Sequence, residues 1–453
     1  MNKQELKYFP VRGTKNDMSE LGYVAYYMVS AEFSYDGKHL GNDIIKLWDA
    51  PKLYGISENW KRWSPREPHL VPSGIAKYRD GLIPKQVHED LASGKCKYLI
   101  LDYSMEGYND VDWDYISTIM GVEKSKLVWV TGIWNPQFMN RESEVSVCFT
   151  NFWEDFTFGI TKFHYSPLER AVESTPWSIG FEQQLKDIDN RKKRKYYGLS
   201  YNRQPRIHRA VLLTRLKEAG VLTNTSYSWG KWATLYGPHT KDDIADTEEE
   251  RKMVHRRFDR SVDMGLLREQ DKDAWLDVVT SDEVLISDDE DLTENKAFNL
   301  NFNHISDCYF QIVSETWVHN HEVDDATPFL SEKSYKPFIC AMPFVMWGQK
   351  GTIQALRDQG YSTFDGWINH DYDNILDDGE RLTKLLHEIK RLYSLSHDDW
   401  TRILKEMKPE LLYNYQEIYQ RVNGPRRYMY KFQSLQSVTT GLDGIDWRWR
   451  NIF

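Results

Sequence analysis

The stretch Phe329-Leu330-Ser331-Glu332-Lys333-Ser334-Tyr335-Lys336-Pro337-Phe338-Ile339-Cys340-Ala341-Met342-Pro343-Phe344-Val345 reads as a charged loop, a short helix and a buried strand. Loop, helix and strand in that order are the repeating unit of a parallel α/β sheet. Pro337 lacks an N–H and disfavours α conformation at Lys336, so the sequence predicts a helix that begins at the proline. Glu332, Lys333 and Lys336 would then lie in the approach to its N-terminus. Two ammonium groups beside a helix N-terminus suit a diphosphate, and a carboxylate there can accept hydrogen bonds from a ribose. An exposed Glu–Lys pair on a surface loop is the plainer reading of the same residues.

Runs of the same kind recur along the chain. Lys97–Asp102 reads as a strand whose end delivers Asp102, Ser104 and Glu106 into a loop containing Gly107. Val111, Tyr115, Ile116, Ile119 and Met120 follow at near-helical spacing up to Gly121, and residues 127–131 and 145–149 read as further strands. Residues 22–30, 196–201 and 308–314 are strand-like as well, the last ending in Glu315-Thr316. Helices are expected through Leu212, Leu213 and Leu216 to Gly220, over 352–359 up to Gly360, and almost throughout 379–422. This alternation predicts an α/β protein with parallel sheets. We place a first Rossmann-like domain at 1–190 and a second at 191–400, with a charged, partly helical insertion at about 226–295. Residues 401–453 would form C-terminal helices that cross back to the first domain.

Composition narrows the functional classes. The chain has 453 residues, enough for two or three domains, and a net charge of −10, which argues against a generally nucleic-acid-coating protein but not against a local basic groove. Its 17 Trp and 27 Tyr suit both cores and stacking on sugars or bases. Cys96, Cys148, Cys308 and Cys340 show no C-x-x-C spacing, so neither a disulfide framework nor a zinc site is indicated. The polar N-terminus and the lack of a long apolar run predict no signal peptide, no membrane span and a cytoplasmic location.

Among local motifs, the Walker A, G-x-G-x-x-G, G-x-S-x-G and H-E-x-x-H patterns are missing. Asp371-Tyr372-Asp373 has the D-x-D spacing with which one class of glycosyltransferases holds a metal, but no apolar strand leads into it, and no metal is assigned. Asn202-Arg203-Gln204-Pro205-Arg206-Ile207-His208-Arg209 places three arginines and a histidine at a helix start, where cations oppose the dipole. A bound phosphate would offset them, as would neighbouring carboxylates. Arg191-Lys192-Lys193-Arg194-Lys195 marks a boundary and reads as a solvated face.

Taken together, Asn202-Arg203-x-Pro205-Arg206-x-His208-Arg209, Glu315-Thr316, Ser331–Pro337 and Gly360-Tyr361-Ser362-Thr363-Phe364 resemble phage-encoded GT-B-like glycosyltransferases over about residues 95–375. Glu332-Lys333 is also similar to the Glu-Lys of fucosyltransferase-like enzymes, whose basic motif is not otherwise reproduced. The resemblance implies a GT-B fold, two Rossmann-like domains facing a central cleft. It implies a donor site drawn from Arg203, Arg206, His208, Arg209, Glu315, Ser331, Glu332, Lys333 and Lys336, with Glu332 on the ribose and the cations on the diphosphate. The donor would be a nucleotide sugar, a UDP-sugar first, with no tightly bound cofactor. Asp102 and Glu106 are the candidate catalytic bases. The resemblance implies hydroxymethylpyrimidines of phage DNA as acceptor, in the host cytoplasm, with Arg191–Lys195, Arg256-Arg257, Arg426-Arg427 and the Trp447-Arg448-Trp449-Arg450 tail as DNA contacts. Transfer to a surface glycan or protein, and a catalytically silent nucleotide-binding protein, are the alternatives.

Overall fold

Parallel strands set the architecture of both parts of the chain. The structure, a computed structural model, describes residues 5–9, 52–57, 89, 91–93, 99–103, 113–131, 145–149, 153–154, 157, 179–202, 206–230, 248–281, 302–319 and 328–422. The chain divides into two compact units, residues 1–159 with 420–453, and residues 160–419. The basic run 191–195 lies inside the second.

In the first unit, β1 (Glu5–Phe9), β2 (Lys52–Ser57), β3 (Leu99–Tyr103), β4 (Leu127–Thr131) and β5 (Ser146–Phe149) pair in that order, all parallel. Helix α1 (Trp113–Met120) connects β3 to β4, as parallel pairing requires a crossover. Asp102 lies in β3, in register with Ser57 and Val130. The strand expected at 22–30 falls outside the described residues, as do Ser104 and Glu106.

The second unit runs α2 (Ile179–Asp189), β6 (Tyr196–Asn202), α3 (Ile207–Glu218), β7 (Thr225–Trp229), α4 (Glu248–Asp263), α5 (Lys272–Val279), α6 (Phe302–Ser306), β8 (Cys308–Ser314), α7 (Glu332–Ile339), β9 (Phe344–Trp347), α8 (Thr352–Asp358), α9 (Asp378–Ser394) and α10 (His397–Val422). Its four-stranded sheet has the order β7-β6-β8-β9, all parallel. β8 and β9 are buried at every position, which is why they read as continuous apolar runs rather than alternating ones. Gly220 and Gly360 end α3 and α8 with φ of 72° and 90°, a conformation that a side chain would strain.

Two expectations need correction. Ser226 does not open the charged insertion, because Thr225–Trp229 forms the edge strand β7. Hydroxyls hid this strand from a hydropathy reading. They are buried and bonded, Thr225 Oγ1 to Val221 O (2.9 Å) and Tyr393 Oη (2.6 Å), and Ser228 Oγ accepting from Asn202 N (3.0 Å). Helix α7 does not begin at Pro337 but at Glu332, with Ser331 as N-cap and the proline in the last turn. Pro337 cannot donate to the Lys333 carbonyl, a loss of one helical bond that the anchoring of the helix start, described below, outweighs.

Helix α9 docks through Arg381, whose side chain is 2 % exposed. Its guanidinium donates to Gly348 O (3.2 Å), Ile375 O (2.8 Å), Leu376 O (3.1 Å) and Val318 O (2.6 Å), and pairs with Asp378. On α10, Trp400 stacks on Phe310 and Tyr309 at ring separations of 5.3 and 5.5 Å. No described helix is long and apolar enough to cross a membrane.

Candidate functional site

From β6 the chain passes through α3 to β7 on one side, and from β8 through α7 to β9 on the other. Because β6 and β8 are neighbours, the winding reverses between them, and in open parallel sheets ligand crevices lie beyond the C-terminal strand ends at such a point. Helices α3 and α7 both begin there. The expected donor-site residues therefore converge: Arg206, His208 and Arg209 enter with α3, Glu315 follows β8, Ser331, Glu332 and Lys333 open α7, and Lys336 lies in its last turn. Arg203 lies outside the described residues. Thr316, flagged in the sequence only as the neighbour of Glu315, ties the two sides together. Its carbonyl accepts from Arg206 Nη1 (3.4 Å) and its hydroxyl from Lys333 Nζ (3.1 Å).

Glu315 is fully buried and anchors the start of α7. Its Oε1 accepts from Ser331 N (3.1 Å), Ser334 N (3.1 Å) and Ser334 Oγ (2.6 Å), and its Oε2 from Ser331 Oγ (2.6 Å) and Thr316 N (2.6 Å). A carboxylate there satisfies helix N–H groups that would otherwise be orphaned and complements the dipole. That anchoring explains why the helix opens at Glu332 despite Pro337. It also gives Glu315 a positioning role rather than a free face toward a ligand.

Charge at the site is unbalanced toward cations. Burial would raise the Glu332 carboxyl, but Lys333, 2.7 Å away, and Lys336 outweigh it and hold it at about 2. Burial lowers Lys336, with Glu332 partly restoring it. The Lys336 ammonium has no hydrogen-bond or ion-pair partner among the described residues. Burial and Arg206 bring Arg209 down to about 10, with Glu332 and Glu315 opposing. His208 is pushed well below its ordinary value by burial and by Arg209 and Arg206. Its Nε2, together with Asn202 Oδ1 and Ser314 Oγ, is buried without a hydrogen-bond partner among the described residues. Buried polar atoms are nearly always bonded, and these three lie at the C-terminal ends of β6 and β8 and in the first turn of α3, where a ligand could supply partners.

No family model, curated protein or solved structure matches the chain. The site is accordingly read from its own geometry. Among the described residues no group of three His, Cys, Asp or Glu side chains could hold a metal ion. The D-x-D has a different task. Asp373 is buried and its carboxylate accepts from Ile353 N and Gln354 N, both at 3.0 Å, capping α8, whose N-cap Gly351 has no side chain to do so. Asp373→Ala is expected to cost about 1–2 kcal/mol in urea unfolding. Equal midpoints for variant and parent would remove this assignment.

In the basic run Arg191, Lys192, Lys193 and Lys195 are exposed, as a solvated face requires, and Arg194 is the exception. Arg194 is buried, pairing with Asp187 (3.5 Å) and donating to Ser306 O, while Lys192 pairs with Asp187 (3.0 Å) and Lys193 with Asp398 (2.8 Å). These partners compete with any phosphate for the run. Of the other expected DNA contacts, Arg256 and Arg257 lie on α4, and Arg426-Arg427 and the Trp-Arg tail lie outside the described residues.

Proposed function

We propose that the chain is a glycosyltransferase of the GT-B kind, its two units being the two Rossmann-like halves, and that the second unit binds a nucleotide sugar, a UDP-sugar first, at the β6/β8 switch point. The observation that carries this reading is the convergence of the α3 and α7 N-termini with Arg206, Arg209, Lys333 and Lys336 in one place. Sugar transfer leaves a diphosphate, and fixed cations with helix N–H groups stabilise the charge that develops on it. Glu332, kept ionised, is suited to accept hydrogen bonds from ribose hydroxyls. The acceptor, a hydroxymethylpyrimidine of DNA, rests on the sequence resemblance, with Asp102 and Glu106 as candidate bases for its hydroxyl.

Thermal unfolding with a panel of nucleotide sugars tests the donor. A ligand at about 100 times its Kd adds roughly 2.7 kcal/mol to folding stability, a readable rise in Tm. Lys336→Ala is expected to weaken that ligand roughly tenfold, as loss of one charge-assisted contact does. No Tm shift with any nucleotide sugar would end the donor reading. Mass spectrometry of nucleosides from hydroxymethylated DNA after incubation tests the acceptor. Donor binding without any sugar transfer would favour a silent binding protein.

A further inference from the structure

Asn202, Ser314 and Trp347 are the last residues of β6, β8 and β9, and they form a row. Ser314 is in register with Trp347, and Leu199 pairs with Gln311, so Asn202 and Ser314, each three residues further on, are neighbours across β6 and β8. Side chains in register share a face of the sheet, and successive ones alternate. Met346, one residue before Trp347, accepts a hydrogen bond at its sulfur from Ser334 of α7 (3.3 Å), so the row faces away from α7. On its own side stands α3, whose His208 ring meets Trp347 edge-on at 6.1 Å. His208 is 8 % exposed and the three strand residues 2 % or less.

Each of these residues carries a buried polar atom without a hydrogen-bond partner among the described residues: Asn202 Oδ1, Ser314 Oγ, Trp347 Nε1 and His208 Nε2. What each can exchange is fixed. Ser200 Oγ gives its proton to Ile312 O (3.2 Å), so it can only accept from Asn202, which turns Nδ2 toward it (2.8 Å) and leaves Oδ1 as an acceptor. Burial, with Arg209 and Arg206 nearby, keeps His208 neutral, and the Glu315 backbone takes the ring N–H, so Nε2 is an acceptor as well. Trp347 Nε1 can only donate, and Ser314 Oγ can do either. Such a row is costly to leave unmatched, since each buried group forfeits its bonds to water.

The row is uncharged and offers both donors and acceptors. Phosphate and carboxylate oxygens accept only, and would set lone pairs against Asn202 Oδ1 and His208 Nε2. Hydroxyls both donate and accept, so several of them on one small ring match the set. We propose that this row binds the transferred sugar of the nucleotide sugar through its hydroxyls, and selects neutral hexoses over uronic acids. This rests on the nucleotide-sugar reading above. Placement follows from the two faces of the sheet. Glu332, the ribose contact of that reading, opens α7 on one face, and the row lies on the α3 face. Between them Thr316 joins Arg206 of the α3 start to Lys333 of the α7 start. A ligand running from ribose through diphosphate to sugar crosses the crevice in that order.

Isothermal titration with UDP, UDP-glucose, UDP-galactose and UDP-glucuronate provides the test. The parent protein is expected to bind a neutral UDP-hexose roughly tenfold more tightly than UDP, and UDP-glucuronate no more tightly than UDP. Ser314→Ala removes a hydroxyl that folding leaves unmatched, so the urea midpoint should hold. The same variant should bind the UDP-hexose roughly fivefold more weakly and UDP as before. Trp347→Phe should act in the same direction, read as the ratio of the two Kd values within one protein, which a loss of packing does not move. If both variants keep the parent ratio while Lys336→Ala weakens UDP, these atoms are matched by buried water only: the sugar assignment is overturned and the nucleotide reading stands. A parent that binds UDP-hexoses no better than UDP, or UDP-glucuronate as tightly as UDP-glucose, overturns the assignment too, as do variants that weaken UDP and UDP-hexose equally. If neither UDP nor any nucleotide sugar binds, the nucleotide reading falls and the sugar assignment with it.

Discussion

Replacing Glu315 by alanine is expected to lower the stability of the second unit by about 3–5 kcal/mol, because buried donors lose a charged acceptor and have no water to turn to. Ser331 N, Ser334 N and Thr316 N all point at this carboxylate and cannot rotate away. The two serine hydroxyls can rotate. Glu315→Gln should therefore be intermediate, since an amide keeps one acceptor oxygen but presents an NH2 to at least one fixed N–H. For a unit of this size the alanine variant should melt on the order of 10 °C lower. Nucleotide binding should fall with it even in the folded fraction, because the start of α7 depends on the same bonds. A variant with an unchanged urea midpoint would show that Glu315 does not hold the helix.

The second large effect is acid destabilisation through His370. This imidazole is buried between Tyr372 Oη (2.8 Å, at Nδ1) and the Thr363 carbonyl (2.8 Å, at Nε2). A carbonyl can only accept, so Nε2 carries the proton and Nδ1 accepts from the tyrosine, which itself accepts from Met346 N (3.0 Å). Burial, opposed by the Thr363 carbonyl, lowers His370 to about 4. The folded state thus resists a proton that the unfolded chain binds at its ordinary value of about 6.5. Stability is fully present above that value, falls as pH drops toward 4, and levels off below, a loss of about 3 kcal/mol in all. Glu332 acts with the same sign in a lower window, between the ordinary carboxyl value and about 2. Urea unfolding from pH 7 to 4 should show the slope, and His370→Gln should remove the His370 share of it, leaving the share of His208, which burial also keeps neutral. An equal slope in the variant would assign the loss elsewhere.

Much of the second unit was legible in the chain, and the reasons are local. β8 and β9 are apolar enough to announce themselves, and glycines with positive φ stop α3 and α8 where the sequence placed their ends. The cations of the site could be named because all but Lys336 cluster at helix starts, and the sheet order brings those starts together. What the chain concealed depends on partners far along it. The start of α7 is decided by Glu315, and Asp373 caps a helix that begins about twenty residues earlier. His319 finds Asp378 across a separation of 59 residues. Pattern reading sees neighbours in sequence, and such pairs are neighbours only after folding. β7 escaped notice for a different reason: a strand whose buried groups are hydroxyls lacks the apolar signature on which recognition depends.

Arg381 has a kinetic consequence. Its acceptors belong to the exits of β8 and β9 and to the turn before its own helix, so its donors can be satisfied only once all three are in place. An intermediate in which α9 had docked on half a sheet would bury an unmatched guanidinium. Such states are penalised, and this half of the chain should therefore assemble and come apart as a single cooperative block, giving proteases few partly opened forms to cut.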